Sequence, residues 1–221
     1  MTQDSPEGIA RRYDRWYQTR FGRWADRLEK QLLAELLGQV QGKSILDIGC
    51  GTGHFSLWLV EMGYEVTAID NSDAMLQAAR AKLGDKATVQ QMSAENLEFA
   101  DNSFDIALMV TALEFVDEPE KALSEAARVA RESIILGVLN KQSLLGRWRK
   151  FTGLLKRNSY SDARFFTSGE LARLCRQAAA ANTKQADIYW SGAVCLRQLV
   201  MKQPARCPFR AFIGMRVNLG Q

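Results

Sequence analysis

The sequence predicts one doubly wound α/β domain, with a mostly parallel sheet of seven strands that ends in a C-terminal antiparallel hairpin. Two observations carry this prediction. Short apolar runs alternate with segments of helical spacing, which indicates parallel strands joined by crossover helices. Several of the runs, most clearly 106–110, are apolar on successive residues, which is typical of strands covered on both faces.

The parallel part of the sheet is expected to contain five strands. Their apolar runs lie at 44–48, 65–69, 87–91, 104–110 and 133–138. Three helices are expected between the strands, at 53–62, 72–83 and 118–129. Ser72 and Asp73 are favourable caps for the second of these helices.

The two ends of the chain complete the predicted domain, which spans 1–221. Residues 23–37 show one mainly apolar helical face, and 1–40 are expected to form helices that cap the sheet. Thr167 and Glu170 fit a capping box that begins a helix through about Ala180. The hairpin is expected from two further runs, at 188–196 and 209–217.

A basic amphipathic insertion, 140–162, follows the fifth predicted strand. Its apolar side chains repeat at helical spacing and basic residues fill the positions between them, the apolar ones being Leu144, Trp148, Phe151 and Leu155. The insertion would overhang the carboxyl edge of the sheet, where a mobile lid could select substrate. Alternatively, 140–157 could contact an anionic membrane surface as a peripheral helix.

Composition and charge restrict the class of protein. The net charge is +4, with acidic residues in excess up to Asn140 and basic residues in large excess after it. This basic half suits an anionic substrate, a nucleic acid or a membrane surface, or is simply a solvated face. The four cysteines form no C-x-x-C pair, so neither a metal site nor a disulfide framework is expected. With no secretory signal and no apolar run of membrane-spanning length, we expect a cytoplasmic protein.

The segment 45–53, ILDIGCGTG, is a strand that runs into a glycine turn and then a helix. Glycines allow unusual backbone angles and a close approach of the backbone to a ligand. A dinucleotide fingerprint would need its last glycine at position 54, which holds histidine, so NAD is disfavoured. Asp70 follows the second strand at the spacing typical of an acid that binds ribose hydroxyls. A purely structural strand-to-helix turn is the alternative interpretation.

Four segments together resemble the motifs of class I methyltransferases that depend on S-adenosylmethionine (SAM). They are 46–53 (LDIGCGTG), 66–70 (VTAID), 92–99 (MSAENLEF) and 104–116 (FDIALMVTALEFV). The resemblance covers roughly 13–180 and is closest to the small-molecule branch that includes enzymes of ubiquinone and menaquinone biosynthesis. It implies a Rossmann-like sheet, SAM as cofactor and S-adenosylhomocysteine (SAH) as product.

The resemblance also implies roles for individual residues. The glycine turn would lie under the methionine part of SAM, Asp70 would bind the ribose, and Ser93 with the backbone of Ala94 would bind adenine. The whole cofactor-binding set is then Arg23, Asp47, Gly49, Cys50, Gly51, Asp70, Asn71, Met75, Ser93, Ala94 and Glu95. Two positions depart from the family pattern, because Ser93 replaces an aspartate and Phe115 replaces a histidine. The first weakens a bond to adenine and the second removes a candidate base.

Three residues are the candidates for catalysis. Thr111 and Glu114 stand near the carboxyl end of the fourth strand, where ligands bind in open α/β sheets. Tyr13 belongs to a YDRWY segment that resembles a lead-in folding over SAM, whose aromatic rings could shield the sulfonium while Arg23 pairs with the SAM carboxylate. Alternatively, the aromatic residues only pack on the first helices and Glu114 is a solvated loop acid.

Methyl transfer is an in-line displacement, so alignment and exclusion of water can supply much of the catalysis. A base is needed only where the acceptor keeps its proton at neutral pH. Because Phe115 replaces the histidine, we expect a small-molecule acceptor that is anionic or easily ionised. Two alternatives stay open: an RNA methyltransferase, suggested only by the basic C-terminal half and therefore disfavoured, and a SAM-binding protein without turnover.

Overall fold

The computed structural model describes residues 6–143, 163–193 and 211–220. They form seven strands: β1 (Ser44–Ile48), β2 (Glu65–Asp70), β3 (Thr88–Gln91), β4 (Phe104–Val110), β5 (Ala130–Leu139), β6 (Gln185–Ala193) and β7 (Phe212–Gly220). The described α-helices are α1 (Pro6–Gln18), α2 (Arg20–Leu37), α3 (His54–Glu61), α4 (Asp73–Leu83), α5 (Pro119–Val129) and α6 (Ser168–Ala181). Short 3₁₀ helices lie at Gly84–Lys86 and Leu113–Phe115.

The sheet has the order β3-β2-β1-β4-β5-β7-β6. The first five strands are mutually parallel, whereas β7 lies antiparallel to both β5 and β6. The predicted doubly wound fold with a C-terminal antiparallel hairpin is therefore confirmed. The chain leaves β1 first towards β2 and later returns on the other side through β4, so a crevice forms at the carboxyl ends of these strands.

Helices cover both faces of the sheet, and two separate apolar cores result. One core includes residues of α5 and α6, and the other includes residues of α2, α3 and α4. The central strands are buried along nearly their whole length, with Ile106, Ala107, Leu108 and Met109 fully inaccessible in β4. The continuous apolar runs of the sequence reflect this two-sided burial.

The N-terminal cap contains two helices, and the apolar face predicted at 23–37 belongs to the second of them. Helix α2 begins three residues earlier, because the hydroxyl of Thr19 accepts a hydrogen bond from the backbone N–H of Gly22 at 2.9 Å. At the other end of the domain, Thr167 and Glu170 form the predicted capping box of α6. The basic insertion predicted at 140–162 lies outside the described residues beyond Ser143. None of the helices described is long and apolar enough to cross a bilayer.

Candidate active site

A cavity of about 670 Å³ lies at the carboxyl ends of the parallel strands, where β1 and β4 diverge. Its walls are the glycine turn after β1, the segments that follow β2, β3 and β4, the end of β5, and one side of α1 and α2. Most of the predicted site residues line it, namely Tyr13, Gly49, Gly51, Asp70, Asn71, Met75, Ser93, Ala94, Glu95 and Thr111. Residues from five distant parts of the chain thus meet in one place.

The glycine turn brings backbone, rather than side chains, to the cavity. Gly49 and Gly51 have φ angles of 75° and 55°, in the left-handed region that favours glycine. A Cβ atom at Gly49 would lie 2.5 Å from the Cβ of Ala112, so a side chain there would collide with the loop after β4. A Cβ at Gly51 would meet open space, which leaves room for a ligand beside the turn.

Asp70 connects the glycine turn to the segment after β2. Its Oδ2 accepts a hydrogen bond from the N–H of Gly51 at 2.9 Å, and its Oδ1 accepts one from the N–H of Ser72 at 2.9 Å. A carboxylate has about four lone-pair sites, so two remain for hydroxyl donors in the cavity. Asp70 therefore shapes the turn and at the same time offers an acceptor for a vicinal diol.

Asp47 in β1 and Cys50 within the glycine turn are not among the residues that line the cavity. Asp47 is buried and accepts a hydrogen bond of 2.5 Å from the hydroxyl of Ser56. Burial raises the pKa of its carboxyl to about 7, and the nearby charge of Asp70 raises the pKa further. Burial likewise raises the pKa of the Cys50 thiol. Both side chains are buried on the side of the turn that faces the core, which gives them a supporting position.

The segment after β3 is a tight turn that Ser93 organises. The Ser93 hydroxyl accepts a hydrogen bond from the N–H of Glu95 and lies 3.2 Å from the Oε2 atom of that residue. The other carboxylate oxygen of Glu95 accepts a hydrogen bond from the N–H of Glu118 at 2.8 Å. Ser93 thus uses its hydroxyl within the turn, while Met75 and Met92 supply apolar wall on the same side.

The end of β4 carries backbone strain and a buried acid. Thr111 has a φ of 49°, a rare conformation for a β-branched residue, and its N–H donates to the carbonyl of Gly137 at 2.7 Å. Glu114 is only 1% exposed, and its Oε1 accepts a hydrogen bond of 2.6 Å from the N–H of Leu139. Its Oε2 has no hydrogen-bond partner among the described residues.

Burial raises the pKa of the Glu114 carboxyl to about 7, with the negative charge of Glu29 adding to the effect. The interpretation of Glu114 as a solvated loop acid is therefore wrong. Glu114 itself does not line the cavity, but Leu139, whose N–H it binds, does. The carboxyl therefore acts indirectly: it fixes the backbone of Leu139, which forms the cavity wall at the end of β5.

Helix α1 covers the cavity with aromatic side chains. Tyr13, Trp16 and Tyr17 line it, and the hydroxyls of Tyr13 and Tyr17 lie 3.1 Å apart. The rings of Trp16 and Tyr17 pack edge to face with centroids 4.8 Å apart. These rings form the wall of the cavity on the side of α1.

Three polar residues fasten α1 to the domain. The Thr52 hydroxyl donates to Oδ1 of Asp14 at 2.6 Å, and the Lys82 ammonium donates to the same oxygen at 3.0 Å. Lys82 also contacts the Thr52 hydroxyl at 3.1 Å. Asp14, Thr52 and Lys82, here called the α1 latch, belong to three distant segments. No local pattern in the sequence could have identified them.

Arg23 and His54 are placed away from the cavity. The guanidinium of Arg23 is exposed and donates to the carbonyl of Gln18 at 2.6 Å, so the geometry does not support its predicted pairing with the SAM carboxylate. His54 lies 2.7 Å from Oδ1 of Asp26, and its ring stacks on Tyr17 with centroids 3.8 Å apart. The ring of His54 therefore joins α1, α2 and α3.

Glu29 is a buried acid of the lining that the sequence analysis missed. It lies in α2, is 7% exposed and faces the cavity. Its helix buries Ala25, Leu32, Leu33 and Leu36 on the same side. An acid placed within the apolar stripe of an amphipathic helix is the pattern that could have identified it. Across residues 6–143, 163–193 and 211–220, no cluster of His, Cys, Asp or Glu side chains is suited to hold a metal ion.

Comparison with known proteins assigns the family. A family model described as a methyltransferase domain matches residues 46–136. A phosphatidylethanolamine N-methyltransferase of Cereibacter sphaeroides is 33% identical over 141 residues, which are 61% of this chain and 68% of that protein. A ubiquinone biosynthesis O-methyltransferase of Alkalilimnicola ehrlichii is 31% identical over 163 residues, which are 68% of this chain and 66% of that protein.

Solved structures agree with these relatives. A SAM-dependent methyltransferase of Thermotoga maritima, described as a "possible histamine N-methyltransferase", aligns with a TM-score of 0.79 at 30% identity, over 96% of each chain. A magnesium protoporphyrin IX methyltransferase of Synechocystis PCC 6803, solved with SAH bound, shares the fold at a TM-score of 0.60 and 20% identity, over 86% of this chain and 81% of that one. This chain therefore belongs to the class I SAM-dependent methyltransferases.

Proposed function

We propose that this enzyme binds SAM at the glycine-turn end of the cavity and a small-molecule acceptor at the end covered by α1. The observation that carries the proposal is that one cavity is lined by Gly51 and Asp70 and also by Thr111 and Tyr13. A donor and an acceptor held in a single cavity can be aligned for direct transfer. We call these two parts the cofactor end and the acceptor end.

At the cofactor end, the residues fit the parts of SAM in order along the sheet edge. The open space beside Gly51 receives the methionine part, and the spare lone pairs of Asp70 accept the ribose hydroxyls. The adenine lies against Met75 and the turn at Ser93 and Ala94, all of which line the cavity. When bound, SAM supplies a methyl group on a sulfonium leaving group.

At the acceptor end, the side chains hold the acceptor in position and limit the access of water. Tyr13 and Trp16 close the cavity from α1, and Leu139 and Thr111 form the opposite wall. Aromatic rings beside a cationic centre also attract it electrostatically. The strained backbone of Thr111 fixes the loop after β4 against the end of β5, which keeps this wall at a set distance from the glycine turn.

The charges of the described lining do not support the anionic acceptor that the replacement of histidine by Phe115 suggested. Four of the lining residues are acids and one is basic, namely Glu29, Asp70, Glu95, Asp117 and Arg12. Arg12 is exposed at the rim. An RNA acceptor, whose phosphates need basic partners, is unsupported for the same reason. The names of the relatives include both N- and O-methyltransferases, so they assign no acceptor atom to this chain.

Calorimetric titration of SAM and SAH into the protein tests the proposed cofactor end. Asp70→Asn removes the charge and places an amide donor against the N–H groups of Gly51 and Ser72. We expect it to weaken binding of both ligands at least about tenfold, or about 1.4 kcal/mol. Asp73→Asn, three residues away in the exposed first turn of α4, is the matched control and keeps wild-type affinity.

Two outcomes would contradict the proposal. One is a folded wild-type protein that binds neither SAM nor SAH. The other is an Asp70→Asn variant that binds both as tightly as the Asp73→Asn control. SAM binding without SAH release, across a broad panel of acceptors, would instead identify a SAM-binding protein without turnover.

A further inference from the structure

The segment after β3, residues 92–102, forms no helix and no strand of the sheet. Its first four residues, 92–95, line the cavity, and the remainder leads to β4. Backbone N–H and C=O groups outside regular structure need partners from elsewhere in the protein. We call 92–102 the adenine segment, because the proposed function places the adenine against its turn at Ser93 and Ala94.

Two side chains of α5 supply partners for the adenine segment. The N–H of Leu97 donates to Oε2 of Glu125 at 2.8 Å, and the carbonyl of Leu97 accepts from Nη2 of Arg128 at 2.8 Å. Nη1 of Arg128 also donates to the carbonyl of Phe99 at 2.7 Å. One acid and one guanidinium thus bind both backbone groups of Leu97, as the backbone of a neighbouring strand would. The adenine segment is therefore fixed to α5.

Arg128 and Glu125 also hold each other. Nε and Nη2 of Arg128 donate to the two carboxylate oxygens of Glu125, each at 2.8 Å. Such a double contact between a guanidinium and a carboxylate fixes the orientation of both groups. The hydrogen bond from Arg128 lowers the pKa of the Glu125 carboxyl, so the pair is charged at neutral pH. This pair, here called the α5 clamp, is a rigid support for the segment.

Further contacts connect the clamped part of the segment to the cavity wall. The N–H of Glu118, at the beginning of α5, donates to Oε1 of Glu95 at 2.8 Å. The N–H of Glu98 contacts the sulfur of Met92 at 3.3 Å. Both Met92 and Glu95 line the cavity. A shift of the segment relative to α5 would therefore displace the turn that borders the cavity.

Given the proposed function, we propose that Arg128 is a positioning residue for the cofactor: with Glu125, it holds the turn where the N–H of Ala94 donates to N1 of adenine. Arg128 does not line the cavity, so it acts through the adenine segment. N1 of adenine is an acceptor, whereas N1 of hypoxanthine carries a hydrogen that would face the N–H of Ala94. The position of the turn therefore sets both the affinity for the cofactor and the preference for adenine.

The variant Arg128→Lys tests the proposal. Lysine keeps the charge but replaces the fork of donors by one ammonium, which cannot bind Glu125 and both carbonyls in the same geometry. Calorimetry measures the binding of SAH and of S-inosylhomocysteine, in which hypoxanthine replaces adenine. We expect wild type to prefer SAH at least about tenfold. In the variant, SAH affinity should fall about fivefold or more, and the preference should fall at least about threefold.

A matched control and a second variant accompany this test. Arg131→Lys is the same substitution three residues later, at an arginine that pairs with Asp105 in β4, outside the adenine segment. It should leave the affinity for SAH and the preference for adenine unchanged. Should Arg128→Lys fold poorly by circular dichroism, Glu125→Gln removes the charge of the partner and should lower the preference in the same way.

The affinity of the wild type for SAH separates the failure of this inference from the failure of the proposed function. Loss of SAH binding in the wild type would overturn the proposed function itself. With SAH binding intact, three results overturn only the role of Arg128. They are a wild type without preference for adenine, a variant that keeps wild-type affinity and preference, and a folded variant that loses affinity for both ligands equally, as a merely structural role would produce.

Discussion

The two ends of the cavity differ in how the chain builds them. The cofactor end consists largely of backbone, with a glycine turn and two N–H groups held by Asp70 between neighbouring strands. The acceptor end consists of side chains from α1, α2 and the loop after β4, which are far apart in sequence. Backbone geometry leaves a recognisable motif, whereas a wall of side chains does not. The sequence therefore indicates the cofactor more clearly than the acceptor.

A substitution at Gly49, where the glycine turn meets the loop after β4, should have the largest effect on stability and on SAM binding. Gly49→Ala adds a Cβ that overlaps Ala112 and takes a positive φ angle. We expect the free energy of unfolding to fall by about 3 kcal/mol and SAM binding to be lost. Gly63→Ala, which also has a positive φ but meets no atom within 4 Å, should cost only about 1 kcal/mol. Urea unfolding measures both, and equal losses would contradict this account of the turn.

The buried carboxyl of Glu114, behind the wall of the acceptor end, should make the free energy of unfolding depend on pH. Burial raises the pKa of Glu114 from its ordinary 4.5 to about 7, so the folded protein binds the proton more tightly than the unfolded chain. Stability contributed by the protonated form is present at low pH and is lost as the pH rises through this window. Glu114→Gln does not titrate.

The advantage of Glu114→Gln over wild type, in free energy of unfolding, should therefore grow by roughly 1–3 kcal/mol from about pH 5 to about pH 8. Urea unfolding at several pH values measures this change. Asp47, whose pKa is raised as well, is common to both proteins and cancels in the difference. Glu98→Gln, at an exposed position, is the control and should show a constant difference. A constant difference for Glu114→Gln would contradict the raised pKa.

The smallest effect should come from the α1 latch, which joins the cover of the acceptor end to the cofactor end. A double-mutant cycle of Asp14→Asn and Lys82→Met should give a coupling of about 0.5–1 kcal/mol, because the pair is partly exposed. The pair Asp73 and Arg80 is longer, at 3.8 Å, and more exposed, so its coupling should be close to zero. Equal coupling energies in the two cycles would show that the α1 latch stabilises the protein no more than an exposed ion pair does.

The fold was predictable because two-sided burial leaves continuous apolar runs. β1 and β4 match their predicted bounds, and the capping box of α6 follows from Thr167 and Glu170 alone. Helix α1 was harder to define as a separate element, because its sequence is mainly charged and aromatic. Its packing is tertiary, through the latch and the ring of His54.

The candidate site was predictable where short motifs place the backbone, and less so elsewhere. Gly49, Gly51 and Asp70 lie within neighbouring segments of known spacing, and the structure brings them together. Glu29 interrupts a recognisable apolar stripe of α2, but its place in the cavity wall depends on how α2 packs over the sheet. The burial of Glu114 required the return of β5 beside the loop after β4. Both facts depend on contacts between residues that are distant in sequence.

A crystal structure of the protein with SAH bound would test the division of the cavity into a cofactor end and an acceptor end most directly. We expect the ribose hydroxyls within hydrogen-bond distance of Asp70, the adenine against Met75, and the sulfur facing the space between Thr111 and Tyr13. An SAH molecule bound away from Asp70, or one whose sulfur points away from the end covered by α1, would contradict the division of the cavity into a cofactor end and an acceptor end.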